Sequence, residues 1–221
     1  MSYTKFFIHN YLSAEKTFIN AHFQKRDLLV SGSSDFRVKF WCLSLGQLLG
    51  TVNTQTEFVV SVLYVPPELT PSNPTPENYM FSMSKAGIHC FSWTDEEGLN
   101  FGPQFKKPNL TIPLVSDGQL LNNSFFTPGM HYRDGTMSFV VQTPLFDTPT
   151  IGDADIMTVC TRTGNVLRSI HVNQKIRMFM AIGNRFALIL MPYVDKYYKN
   201  FGVIDLEERK LIGGYTVPHS R

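Results

Sequence analysis

The sequence is poor in the residues that support most specialised chemistries. Only three of its 221 residues are cysteine (Cys42, Cys90 and Cys160), an odd number without close spacing. No disulfide framework follows, and reduced thiols in the cytoplasm or nucleus are the expectation. Charge of one sign is equally scarce. Twenty Lys and Arg stand against 18 Asp and Glu, a formal charge of +2, and no basic block is longer than Lys106-Lys107. Nucleic acid is therefore not an expected partner. The longest apolar run, Phe186–Met191, is far short of the ~20 residues that span a bilayer. Met1–Asn10 also lacks the apolar core of a secretory signal. No membrane association is expected.

Metal and catalytic spacing are missing as well. His9, His22, His89, His131, His171 and His219 are scattered. His89 and Cys90 are neighbours on a predicted strand and point to opposite faces, so no metal and no other cofactor is expected. No Gly-x-Ser-x-Gly elbow or Cys–His spacing occurs. The carboxylate pairs Asp153/Asp155 and Glu207/Glu208 fit turns and surface better than acid–base work. No residue is expected to be catalytic, and the chain does not read as an enzyme. Nothing in it has the 3.6-residue periodicity of a sizeable helix.

What is abundant is aromatic and apolar. Eighteen Phe, nine Tyr and a 43% hydrophobic content suit a β-rich globular chain. The stretch Asp27–Val52 reads as successive short strands. Leu28-Leu29-Val30 ends at the turn formers Ser31-Gly32-Ser33-Ser34-Asp35. Arg37-Val38-Lys39-Phe40-Trp41 then alternates with a period of two, and Leu48–Val52 runs back after Gly46. With an upstream apolar run at Thr17–Phe23, these make a four-stranded antiparallel unit.

That unit recurs. Trp41–Val52 lies over Val159–Ile170 with Gly46 on Gly164, and over Ile204–Tyr215 with Leu43 on Leu206 and Leu48 on Leu211. It lies more weakly over Trp93–Phe101, with Gly46 on Gly98. The repeated glycine predicts a positive-φ turn between third and fourth strands. Less the evident insertions, the closing residues Trp41, Trp93, Val159 and Ile204 recur near the ~40–45 residues of a propeller blade. The expected fold is all-β, a β-propeller of about four four-stranded blades, as a partial ring or as a fragment of a larger one. Met1–Asn10 is read as a strand of a preceding blade. The blades follow at Thr17–Val52, Phe58–Phe105, Leu121–Val172 and Ile176–Val217. Pro66–Asn78, with five prolines, must be an exposed loop in the second blade. Its last strand is placed near Leu99–Phe105, and Lys106–Gly118 is read as a polar connection. A partial ring leaves apolar blade faces and strand edges open, which predicts self-association.

Leu28–Trp41, LLVSGSSDFRVKFW, resembles the strand–turn–strand core of the WD-repeat family. Ile204-Asp205-Leu206 resembles that family's closing Trp-Asp and Leu, with Ile in place of Trp. The resemblance implies a hydrogen-bonded set of loop His, strand Ser, turn Asp and closing Trp, here His9, Ser31, Asp35 and Trp41. Gly87 stands at the turn-Asp position of the second blade, and the third and fourth blades lack the Trp. Those blades are accordingly expected to be held by packing alone. Asp27–Val52 and the stretch from Phe186 through Leu206 to the end resemble F-box/WD-repeat proteins. That likeness implies the substrate-binding part of an SCF-type ubiquitin ligase receptor. It implies the adaptor Skp1 as a partner only through an F-box, whose helices are absent from this chain. The alternative is a WD-repeat scaffold unrelated to ubiquitination.

In a propeller, the loop between second and third strands of each blade opens on one rim. Here these loops are Ser33–Phe36, Lys85–Gly87, Thr143–Ala154 and Pro192–Asn200. The last carries Tyr193, Lys196, Tyr197, Tyr198 and Lys199. With Arg37 and Lys85 they predict a basic, aromatic rim that binds a protein or peptide, phosphorylated or acidic. The alternative is a set of solvated loops whose tyrosines cover blade edges.

Overall fold

In the computed structural model, the residues described are 17–23, 27–53, 57–69, 77–94, 105, 107–113, 115–116, 119–120, 125–144, 152–173, 175–182, 185–191 and 201–215. They form four four-stranded antiparallel sheets, each meandering in sequence order. The first holds β1 (Thr17–Phe23), β2 (Leu28–Ser33), β3 (Arg37–Cys42) and β4 (Gln47–Asn53). The second holds β5 (Ser61–Val65), β6 (Asn78–Ser84), β7 (Gly87–Trp93) and β8 (Leu110–Ile112). A short hairpin of β9 (Val115–Ser116) and β10 (Gln119–Leu120) follows. The third sheet holds β11 (Phe125–Arg133), β12 (Thr136–Pro144), β13 (Gly152–Cys160) and β14 (Val166–Val172). The fourth holds β15 (Met178–Ile182), β16 (Phe186–Leu190), β17 (Phe201–Asp205) and β18 (Lys210–Tyr215). A short 3₁₀ turn lies at Pro67–Leu69.

The chain divides into two compact units, Met1–Pro113 and Leu114–Arg221. Each has its own core between two sheets. In the first, the period-2 pattern of β3 puts Val38 and Phe40 at 0% exposure while Arg37 stays in solvent. They join Val30 and Val52 against Tyr64, Met80, Phe91 and Trp93. In the second, Val140, Ala154, Ile156 and Ile170 meet Phe179, Ala187, Ile189 and Ile204. Thr127 Oγ1 donates to the carbonyl of Ile176 at 2.8 Å, and the buried Gln142 amide reaches the same carbonyl, tying the third sheet to the fourth.

Three predicted boundaries are corrected. The fourth strand of the second blade is Leu110–Ile112, inside the stretch read as a connection, and pairs with Ile88–Cys90. Phe105, counted as strand, is instead a core plug, 4% exposed, with ring centroids 5.4 Å from both Phe40 and Trp93. The first strand of the third blade is Phe125–Arg133, and it carries Thr127-Pro128-Gly129 as a bulge. Proline has no N–H for the ladder. Gly129, at φ 121°, brings its backbone so close that a Cβ would stand 2.1 Å from the Phe179 carbonyl oxygen. Finally, the ladder of β12 and β13 continues to Thr143↔Asp153 and Pro144↔Gly152, so the loop predicted at Thr143–Ala154 is shorter. The strand predicted in Met1–Asn10 lies outside the described residues.

Candidate functional site

The two ends of a blade differ in chemistry. One end carries the turns after the first and third strands, and it is closed by internal partners. The residue that follows the third strand donates its N–H to a carbonyl in the first turn in three blades. These bonds run from Leu43 to Asp27 (3.0 Å), from Thr161 to Gly135 (2.9 Å) and from Leu206 to Arg185 (2.8 Å). Side chains reinforce this lock differently each time. In the first blade Asp27 accepts from the Ser44 N–H at 2.7 Å, from the Cys42 thiol at 3.0 Å and from the Ser44 hydroxyl. Those donors, Cys42 first, hold its carboxyl below the ordinary range. In the third blade the Thr161 hydroxyl donates to the same Gly135 carbonyl. In the fourth, Asp205 caps the closing turn through the N–H groups of Glu207 and Glu208 and pairs with Arg185 Nε at 2.7 Å. Chiefly because of Arg185, the Asp205 carboxyl is lowered to about 2. Arg133 adds a 3.0 Å contact to Glu207, and Arg168 donates to the Leu206 carbonyl. The expectation that the second, third and fourth blades rely on packing alone is therefore wrong: the third and fourth are tied by these bonds, and in the second the Tyr64 hydroxyl donates to Asn78 Oδ1 at 2.6 Å and the Asn78 amide to the Trp93 carbonyl at 3.3 Å. Glu207 and Glu208 take part in that tie.

The opposite end of the first unit carries the β2–β3 and β6–β7 turns and the linker Glu57–Val60. Ser33 ends β2, and its carbonyl accepts from Phe36 (3.3 Å) and from Val59 (3.2 Å), while Val60 donates to the Met83 carbonyl at 2.8 Å. The linker Glu57–Val60 is thus pinned across the β2–β3 turn of one blade and the end of β6 in the next. Asp35 accepts from the Arg37 N–H at 3.2 Å and donates its own N–H to Ser33 Oγ at 3.3 Å, an Asx-type turn. This turn forces Phe36 to φ 71°, a left-handed conformation rare for a bulky residue. Phe36 is 40% and Phe58 56% exposed, with ring centroids 5.5 Å apart. Exposed charges of both signs stand on the same turns and linker: Arg37 and Lys85, and also Asp35 and Glu57.

Of the predicted hydrogen-bonded set, Trp41 Nε1 donates to Ser31 Oγ at 2.9 Å, with Ser31 1% exposed. Asp35 closes its own turn, and His9 lies outside the described residues. Of the predicted rim, Arg37 and Lys85 are exposed at turns, and Tyr193, Lys196, Tyr197, Tyr198 and Lys199 lie outside the described residues. Sequence reasoning missed the Phe36–Phe58 pair. The signal was an aromatic side chain directly after Ser-Ser-Asp, where a turn ordinarily takes Gly or Asn. No group of three His, Cys, Asp or Glu side chains among the described residues is placed to hold a metal ion. Cys90 is buried, which pushes its thiol up to about 12, far from a nucleophile at neutral pH.

No protein-family model matches the chain, and no curated protein matches it. Among solved structures it is similar to the WD40 β-propeller domain of Doa1, at 18% identity and a TM-score of 0.56, over 89% of this chain and 52% of that one. The chain thus spans about half the length of that chain. It is also similar to the computationally designed protein Ika4, at 15% identity and a TM-score of 0.46, over 81% of this chain and 86% of that one. The meandering four-stranded sheets, their recurring turn lock and the likeness to the Doa1 domain together make this an all-β chain with the WD40 β-propeller fold.

Proposed function

We propose that the chain is a non-catalytic protein-interaction module, taking a protein or peptide segment at the β2–β3 end of its first two blades. The observation that supports this reading is the Phe36–Phe58 pair. A left-handed backbone costs a non-glycine residue about 1–2 kcal/mol. Here that cost sustains a ring that leaves 40% of the residue in water. Strain that exposes an aromatic side chain is a signature of recognition, and aromatic anchors dominate binding energy at interfaces. Arg37, next to Phe36 in the chain, and Lys85, on the corresponding turn of the second blade, would engage an acidic or phosphorylated residue flanking an apolar anchor.

The test is a displayed peptide library pairing an aromatic or aliphatic anchor with an adjacent Glu or phosphoserine. Phe36→Ala with Phe58→Ala is expected to weaken the selected binder at least ~10-fold, the loss of one interface anchor. Arg37→Ala with Lys85→Ala should weaken the phosphorylated version more than the plain one. A binder indifferent to both double variants sinks the reading.

The finer assignment, the substrate-binding part of an SCF-type ubiquitin ligase receptor, is supported by the F-box/WD-repeat likeness of Asp27–Val52 and of the stretch after Phe186. It predicts that a longer product carrying an F-box retrieves the adaptor Skp1 from cells, and that this chain alone does not. If no product retrieves Skp1, the scaffold role unrelated to ubiquitin is the better account.

A further inference from the structure

The aromatic pair at the β2–β3 end is set by a residue that has no side chain. Phe36 and Phe58 belong to a turn and to a linker, yet their ring centroids stand 5.5 Å apart. Two features fix where the linker lies. One is a shared acceptor, the Ser33 carbonyl, which takes the N–H groups of both Phe36 and Val59. The other is the seat of Val59, the residue after Phe58. Val59 is fully buried against Gly32: a Cβ added at Gly32 would stand 2.4 Å from Val59 Cγ1 and 3.1 Å from both Val59 Cβ and Val62 Cγ1.

Neither side of this contact can yield. Gly32 sits in the ladder of β2, opposite Phe18 of β1 and Val38 of β3. Its φ lies outside the left-handed region, so contact alone, and not backbone strain, bars a side chain there. Val59 is β-branched, hence stiff at χ1, and it belongs to the same close-packed cluster as Val38 and Val62. A methyl group at position 32 would therefore push the linker itself, by about 1 Å or more, to reach the ~3.5–4.0 Å of ordinary carbon contact. On its other side the linker is held by Val60, whose N–H donates to the Met83 carbonyl at 2.8 Å. Phe58, with 56% of its surface in water, has the least packing to resist the shift.

We infer that Gly32 is the positioning residue of the recognition site: by seating Val59 it holds the Phe58 ring beside Phe36, so that a partner's apolar anchor meets both rings at once. The inference rests on the reading of that pair as a recognition site. It goes further by placing control of the site at a buried residue that no partner touches.

Two measurements on the full chain test it. Nuclear Overhauser contacts between the Phe36 and Phe58 ring protons are expected in the wild type and are lost in Gly32→Ala. The second is affinity for a peptide selected on the wild type from the displayed library, with an aromatic anchor beside phosphoserine. Gly32→Ala should weaken that peptide at least ~5-fold, about as far as Phe58→Ala alone. In a Phe58→Ala background it should cause no further loss, because its effect runs through that ring, whereas a general loss of structure would add. Combining Gly32→Ala with Val59→Ala removes the Cγ1 at 2.4 Å and should bring affinity back to within roughly 3-fold of wild type. Far-UV circular dichroism checks folding. Should Gly32→Ala fail to fold, Val59→Ala alone is the substitute: it empties the seat and should lose affinity in the same Phe58-dependent way. Rings without contact in the wild type, contacts retained in Gly32→Ala, losses that add to those of Phe58→Ala, or no recovery in the combined variant each overturn the inference and leave the two-ring reading standing. A peptide indifferent to Phe36→Ala with Phe58→Ala, or a library that yields none, removes that reading and this inference with it.

Discussion

Gly46, Gly164 and Arg209 hold the same place in three closing turns, at φ 62°, 74° and 58°. Two of them are glycine, for which this backbone is free of steric cost, and the third is arginine. An L-residue in the left-handed region loses roughly 1–2 kcal/mol. Glycine gives back about 0.5–1 kcal/mol of that through its greater freedom in the unfolded chain. Arg209 is exposed, so its removal uncovers no core. Arg209→Gly should therefore stabilise the protein by about 0.5–1 kcal/mol, a rise in Tm of roughly 1–4 °C at this chain length. Gly46→Ala and Gly164→Ala should each cost about 1 kcal/mol and lower Tm by a similar amount. Thermal unfolding followed by circular dichroism, with urea titration to check that the m-value is unchanged, measures all three. A lower Tm for Arg209→Gly together with harmless alanines at 46 and 164 would refute the equivalence of these turns, and with it the repeat alignment.

Gly129→Ala should cost about 3 kcal/mol or more, because its Cβ would sit 2.1 Å from the rigid Phe179 carbonyl oxygen; a urea midpoint close to wild type would contradict the bulge geometry. Asp27→Ala removes the acceptor for the Ser44 N–H, the Ser44 hydroxyl and the Cys42 thiol, and should cost about 1–2 kcal/mol by urea unfolding. Ser31→Ala takes away the acceptor of the Trp41 indole N–H and should cost about 1 kcal/mol, with a shift in tryptophan emission as the readout. Asp27 and Asp205 both have folded pKa values depressed below the ordinary 3.8, Asp205 to about 2. The stability they contribute is complete above that ordinary value and is lost as pH falls from about 4 toward 2. Tm measured from pH 6 to 2 should drop in that window, and the drop should shrink in Arg185→Met; a flat profile would count against both carboxylates.

The repeat was legible because it is written in side-chain period and turn chemistry. Val38 and Phe40 alternate with Arg37 and Lys39, and that alternation alone places β3 and its buried face. The same logic failed wherever an aromatic or a proline took on another task. Phe105 looks like a strand residue but fills the space between Phe40, Phe91 and Trp93, which depends on contacts distant in sequence. Thr127-Pro128-Gly129 lies inside a strand as a bulge, and the closeness of Gly129 to Phe179 depends on a partner 50 residues away. The Trp41–Ser31 bond could be read in advance because the WD-repeat likeness implies it, and the register sets Ser31 diagonal to Trp41 on paired strands. The Arg185–Asp205 pair could not, since nothing local links two turns that the sheet brings together. Phe36 was visible as a turn residue, but its partner Phe58 emerges only when the linker is seen pinned to Ser33.

The unlike turn locks have a consequence for folding. Blades of one shape strung on one chain invite cross-pairing, in which a first turn is caught by the closing turn of the wrong blade. Asp27 offered to the closing turn of the fourth blade would confront the carboxylates of Asp205, Glu207 and Glu208. Arg185 offered to the first blade would find Cys42 and Ser44 in place of a carboxylate. Mispaired turns of the first and fourth blades would thus keep the backbone bond but forfeit the side-chain part of the lock.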